Sequence, residues 1–295
     1  MVSILNRLLS KGLIHPPKWL VHNTHYLTLM GSIAYGVSSD APDNDVYGFV
    51  TPQLDDIFPH LRGDIPGFGR QKKRFGQWQE HHIEDKEARK SWDFQVHSIV
   101  KYFQLCMDNN PNMIDSLFTP QNCVIHVTQM GQMVRQNRHI FLHKGCWHKF
   151  KGYAYSQLHK MTIKNPEGKR REIIDEFGYD VKFAYHVVRL INEVEQILAE
   201  GDLDLQRCRE QLKSIRRGEW TEHDIRAYFA RQEKRLEQLY TDSKLPYSPD
   251  EPRIKALLLE CLEHHFGSLD KAIRIPEKDS QAMDQIAEVV RRSGR

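Results

Sequence analysis

The sequence predicts an α+β N-terminal half followed by an all-helical half, divided near residue 125. Three observations lead there. Residues 24–50 read as strand, tight turn, strand: Tyr26-Leu27-Thr28-Leu29-Met30 is rich in β formers, stops at Gly31-Ser32, and is answered by Val46-Tyr47-Gly48-Phe49-Val50. Trp92, Phe94 and Val96 alternate with Asp93, Gln95 and His97, the two-residue period of a half-buried strand. Beyond about residue 127 the apolar positions recur at helical spacing instead.

Between the second and third strands, residues 51–90 are rich in Pro, Gly and charge and read as a long excursion. Loops of that length are uncommon unless functional. Within it Glu80-His81-His82-Ile83-Glu84 reads as a solvated loop. A helix is expected from Ser98 to Asn109, with Ile99, Tyr102, Phe103 and Cys106 along one face and Asn110-Pro111 as its stop. In the helical half, residues 179–200 carry Val181, Ala184, Val188, Ile191 and Leu198 on one face, and Gly201 stands where a C-cap glycine belongs. Thr221 is an N-cap for a helix to about Tyr240, and Asp250 heads another with Pro252 in its first turn.

Composition narrows the function. At 295 residues, 40% hydrophobic and 27% charged, the chain is long enough for one large or two small globular domains. Its apolar runs are far too short to span a bilayer, and the N-terminus lacks the pattern of a signal peptide, so a cytoplasmic protein with no membrane role is expected. Five dispersed cysteines without a CxxC pair, and 16 histidines without zinc-enzyme spacing, predict neither disulfides nor structural zinc. The net charge is only +3, but residues 144–172 hold eight Lys and Arg against two Glu, a local balance of +6, and Arg70-Gln71-Lys72-Lys73-Arg74 forms a second cluster. Such patches attract phosphates over about 8 Å.

The chemistry concentrates at Gly31-Ser32, followed after ten intervening residues by Asp43-Asn44-Asp45. Gly31 lets the backbone approach a triphosphate, and exposed amides with the Ser32 hydroxyl suit its phosphate oxygens. Carboxylates at i and i+2 on a strand point to the same side, so Asp43 and Asp45 can jointly hold two Mg²⁺ ions, with Mn²⁺ as a substitute. Such a pair serves the attacking and leaving oxygens of an in-line displacement. A third carboxylate is needed on a neighbouring strand. Asp93 fits best, on the polar side opposite Trp92 and Phe94, with Asp55 and Asp56 as alternatives beside a Pro-rich loop.

Gly31-Ser32, Ala34-Tyr35-Gly36 and Asp43-x-Asp45 resemble the signature of the polymerase-β-like nucleotidyltransferases. The spacing is similar to the branch associated with RNA repair. Asp93 ahead of a helix ending Asn110-Pro111-Asn112, Tyr153-Ala154-x-Ser156-Gln157-Leu158-x-Lys160 and Gly178-Tyr179-Asp180-Val181-Lys182-Phe183-Ala184-Tyr185-His186 support the narrower match. It spans roughly residues 25 to 220 and departs from the pattern at Pro42, where Ser is common. The resemblance implies a small mixed sheet with helices over 1–125 and a helical domain over 126–295 that closes the nucleotide cleft. It implies an NTP as donor and an RNA end as acceptor, and it adds Tyr35 to the nucleotide contacts. Lys182, His186 and Arg189 fall on one polar stripe of a helix, and Tyr153, Gln157 and Lys160 repeat that spacing. In related transferases the helical domain walls the cleft, so Lys160, Lys182 and Arg189 are expected at the nucleotide. Transfer to a protein or small-molecule hydroxyl is a second reading, and a non-catalytic RNA-binding or toxin–antitoxin module a third. The NTP, the acceptor and the oligomeric state stay open.

Overall fold

The computed structural model describes residues 4–38, 43–71, 73–161 and 168–267. The chain opens with helix α1 (Ile4–Ser10), strand β1 (Thr24–Leu29), the helical turn α2 (Gly31–Ala34) and strand β2 (Asn44–Val50). There follow the turn α3 (Leu54–Ile57), the hairpin β3 (Gln77–Asp85) and β4 (Lys90–Ser98), helices α4 (Ile99–Met107) and α5 (Pro111–Phe118), and strand β5 (Val124–Val127). The rest is helical: α6 (Gln129–Gln136), α7 (Cys146–Lys160), α8 (Lys169–Phe177), α9 (Val181–Glu200), α10 (Arg209–Arg216), α11 (Glu222–Asp242) and α12 (Glu251–Phe266). No described helix is long and apolar enough to cross a membrane.

Among the described residues the strands form one mixed sheet in the order β3-β4-β2-β1-β5. All pairings are antiparallel except β2 with β4, which run parallel with Asp45 opposite Asp93. Strand alternation therefore gives each side of the sheet its own core. Val46, Val50, Phe94 and Val96 meet Leu5 and Leu8 of α1 on one side. Tyr26 and Phe49 meet Tyr102 and Phe103 of α4 on the other, where the cluster continues without a break through α9 to α12. Burying each such side chain contributes about 1.5–3 kcal/mol. Gly48 is required where β1 and β2 cross, since a Cβ there would lie 1.9 Å from the Tyr26 carbonyl oxygen.

The helix signals read at Gly201 and Thr221 hold: Gly201 ends α9 in the left-handed conformation, and Thr221 caps α11, where Asp224 completes a capping box. The structure adds side-chain caps at Ser98 on α4 and Asp180 on α9. Three elements differ from expectation. Asn110-Pro111 ends one helix by starting the next, because the Asn110 side chain accepts from the Met113 amide as an N-cap with Pro at the first position. The tight turn after β1 is the helical turn α2. The 51–90 excursion contains all of β3, and Glu80–Glu84 belongs to that strand. Its charged residues imitate a loop because β3 is an edge strand with one face open to solvent.

Candidate functional site

Asp45 and Asp93 face each other across the parallel pair, on the side of the sheet that bears the helices. Asp43 stands exposed just before β2. Gly31 closes on this edge from β1: the Met30 amide donates to the Asp45 carbonyl at 2.7 Å, and a Cβ on Gly31 (φ 62°) would lie 2.3 Å from Asp45 Oδ2. A side chain there would displace the carboxylate and strain the left-handed backbone, so the phosphate-type turn and the carboxylate are in contact. Ser32 is half-buried, and its hydroxyl has no partner among the described residues. Burial holds the Asp45 carboxyl above its ordinary range, and the charges of Asp93 and Asp43 push it the same way while Lys182 opposes them. Asp55 and Asp56 start α3, beyond the opposite end of β2.

Donor chemistry suits hard divalent cations, since a half-buried carboxylate beside two others has the charge of Lys182 acting on it but no Lys or Arg ion pair among the described residues. As the side chains stand, no three His, Cys, Asp or Glu among the described residues lie close enough together to hold an ion. A metal would have to draw them in.

The helical half supplies cations and braces the turn. Gln206 Nε2 donates to the Ala34 carbonyl at 3.1 Å and Arg216 donates to that of Val37, so the segment entering α10 and α10 itself grip the Gly31–Val37 turn from behind. Lys182 is exposed on the first turn of α9. His186, one turn on, is held well below the usual imidazole range, first by burial and then by Arg189, Lys182, Arg216 and Arg170. Lys160 is exposed at the end of α7, 5.9 Å over the Phe183 ring that Arg170 also covers.

Two expected nucleotide contacts lie elsewhere. Tyr35 is buried, and its hydroxyl donates to Asp115 of α5 at 2.8 Å. Arg189 is only 4% exposed, bonded to both Asp115 and Glu193 and stacked 4.3 Å over the Tyr35 ring. Helical spacing placed Arg189 on a polar stripe with Lys182, but while Lys182 is exposed Arg189 turns inward against two carboxylates. Nη1 makes the bonds to both carboxylates while Nε is buried without a partner, so the guanidinium is enclosed in the protein and its charge is answered there.

The +6 segment is also less free than its sequence implies. Lys144 is buried against the Thr241 carbonyl, Lys151 pairs with Glu233, Arg170 with Asp180 and Arg171 with Asp175. Residues 162–167, Lys72 and Pro42 lie outside the described residues. Sequence reading missed the brace formed by Asp115 and Glu193, and it missed His82, whose backbone amide donates to Asp93 Oδ1 at 2.6 Å. Asp115 and Arg189 come from distant segments and His82 meets Asp93 only through the β3–β4 pairing, whereas Arg189 and Glu193 are an i,i+4 pair on α9 that the helical spacing could have shown.

A family model described as the RNA repair pathway DNA polymerase beta family matches residues 18–260. No curated protein matches the chain. That match covers most of the 295 residues, from before β1 to within α12. The chain thus belongs to the RNA repair pathway DNA polymerase beta family, which is polymerase-β-like and nucleotidyl-transferring.

Proposed function

We propose that the protein is a template-independent nucleotidyltransferase, moving a nucleoside monophosphate from an NTP to the hydroxyl of an RNA end and releasing pyrophosphate. One observation carries this reading: Asp45 and Asp93 are paired across parallel strands, with Gly31 packed directly on the Asp45 carboxylate. In the proposed arrangement residues 1–125 provide the catalytic half and 126–295 close the cleft. Gly31 admits the triphosphate against the backbone, Ser32 donates its hydroxyl to a phosphate oxygen, and Lys182 places a positive charge on the same side. Lys160 extends this cationic rim. Asp43 and Asp45 would hold two Mg²⁺ ions, and Asp93 would share the one nearest the acceptor. When bound, the ions neutralise the developing charge and make the acceptor hydroxyl a better nucleophile. The protein's part is to align acceptor oxygen and α-phosphate and to exclude competing water.

The test is incubation of the purified protein with each labelled NTP, Mg²⁺ and total RNA. Label in RNA is expected. Label in protein or in a small molecule alone would move the acceptor, and no incorporation with any NTP would leave a non-catalytic RNA-binding module.

A further inference from the structure

The sheet order arranges four features in a line along one edge. Beyond β1 lies the Gly31-Ser32 turn, then Asp45 on β2, then Asp93 on β4, and outermost the His81-His82 segment of β3. At about 4.8 Å per strand the line is roughly 14 Å long. With the triphosphate at Gly31-Ser32, the far end beyond Asp93 is left for the acceptor.

At that far end the β3–β4 ladder is interrupted. Glu80 pairs with Phe94 and Ile83 with Trp92, so His81 and His82 together oppose the single residue Asp93. Two residues facing one is a β-bulge, a device that re-aims side chains beside active sites. His82 adopts φ 57°, a left-handed conformation unusual for a residue with a Cβ. This conformation lets its amide donate to Asp93 Oδ1 at 2.6 Å, while His81 Nδ1 lies 3.8 Å from the same oxygen. The bulge is tied down from outside, because the His15 amide donates to Glu80 Oε2 at 2.9 Å. Both imidazoles remain exposed, with ring centroids 6.4 Å apart.

We propose that this bulge forms the acceptor-side jaw of the site. The His82 amide is a positioning group that orients the Asp93 carboxylate. The two imidazoles bind the terminal ribose and phosphate of the acceptor strand, as ring N–H donors in either protonation state. This rests on the transferase reading above and specifies which side of the carboxylates the RNA occupies.

Two substitutions separate the amide from the ring. His82→Gly keeps the amide and favours the left-handed backbone, whereas His82→Val strains it. The experiment measures labelled-NTP transfer to the RNA species that wild-type protein labels, gel-purified, with Asp93→Asn alongside. His82→Val is expected to lower kcat at least about tenfold with KM for the NTP unchanged, a loss of transition-state rather than ground-state binding. His82→Gly is expected to keep kcat within about threefold, with KM for the RNA raised about fivefold or more. His81→Ala should raise that KM similarly. Should His82→Val fail to fold, His82→Ala carries the same comparison. Equal kcat losses in His82→Gly and His82→Val, or a wild-type kcat in His82→Val, would overturn the positioning role. An unchanged KM for RNA in both His82→Gly and His81→Ala would overturn the binding role. Full activity in Asp93→Asn would instead remove Asp93 from the reaction, and no labelling by the wild-type protein would overturn the transferase reading itself.

Discussion

Two acidic clusters act on Tyr47, and their contrast separates support from chemistry. The inner one, Asp115 and Glu193, is buried and answered from within by the Arg189 guanidinium and, at Asp115, by the Tyr35 hydroxyl. The outer one, Asp43, Asp45 and Asp93, has no Lys or Arg ion pair among the described residues. Tyr47 feels both: burial pushes its hydroxyl up to about 12, and Asp45, Asp115 and Asp93 add to the shift while Arg189 opposes it. A charge cluster that contains its own counter-ion holds the fold together. One that has no ion pair of its own keeps more of its charge available for a ligand.

The sharpest way to break the contrast is at Asp45. Asp45→Asn should lower nucleotidyl transfer at least about a thousandfold, since losing a metal ligand costs several kcal/mol of transition-state stabilisation. Thermal denaturation without metal should show no loss of stability, because burial and like charges already hold this carboxyl above its usual range. A variant that melts early and retains activity would invert the assignment.

Next comes Arg189→Met, which leaves two buried carboxylates without their cation. A loss of about 3–5 kcal/mol is expected, visible in denaturant unfolding at pH 7. Stability within 1 kcal/mol of wild type would return Arg189 to the surface stripe that its spacing suggests.

The third sharpening uses pH. Burial lowers His25 and His97 to about 4 from 6.5, so both are neutral in the native state at neutral pH. Below pH 6.5 the unfolded chain takes up protons that the folded chain refuses, and stability falls as pH drops towards 4. Each residue accounts for up to about 3 kcal/mol of that loss. Unfolding midpoints from pH 7 to 4 should decline less steeply in His97→Gln, and parallel curves would exclude His97 from the effect.

The smallest change concerns the phosphate turn. Ser32→Ala should weaken NTP binding by about 1.5–3 kcal/mol, one hydrogen bond to a charged group, without altering the melting temperature. Titration with a non-hydrolysable NTP reads this directly, and unchanged affinity would place the triphosphate elsewhere.

Much of the architecture is legible because its signals are local. Alternation around Asp93, the glycine after β1 and the helix ends at Gly201, Thr221 and Asp250 each depend on residues within one or two turns. The misreadings share a different cause. Tyr35 and Arg189 look like ligand contacts until Asp115, far away in sequence, is seen to take both. The charged Glu80–Glu84 stretch looks like a loop until β4 pairs with it and leaves His81 and His82 facing one carboxylate.

By itself the sequence determined the α+β order, most helix ends and the spacing of Gly31, Asp43 and Asp45, since these follow from backbone propensity and side-chain period. Only the tertiary structure decided which charges are neutralised from within and which stand open. Pairing across the sheet and docking of α9 on α5 join residues whose separation along the chain carries no periodic signal.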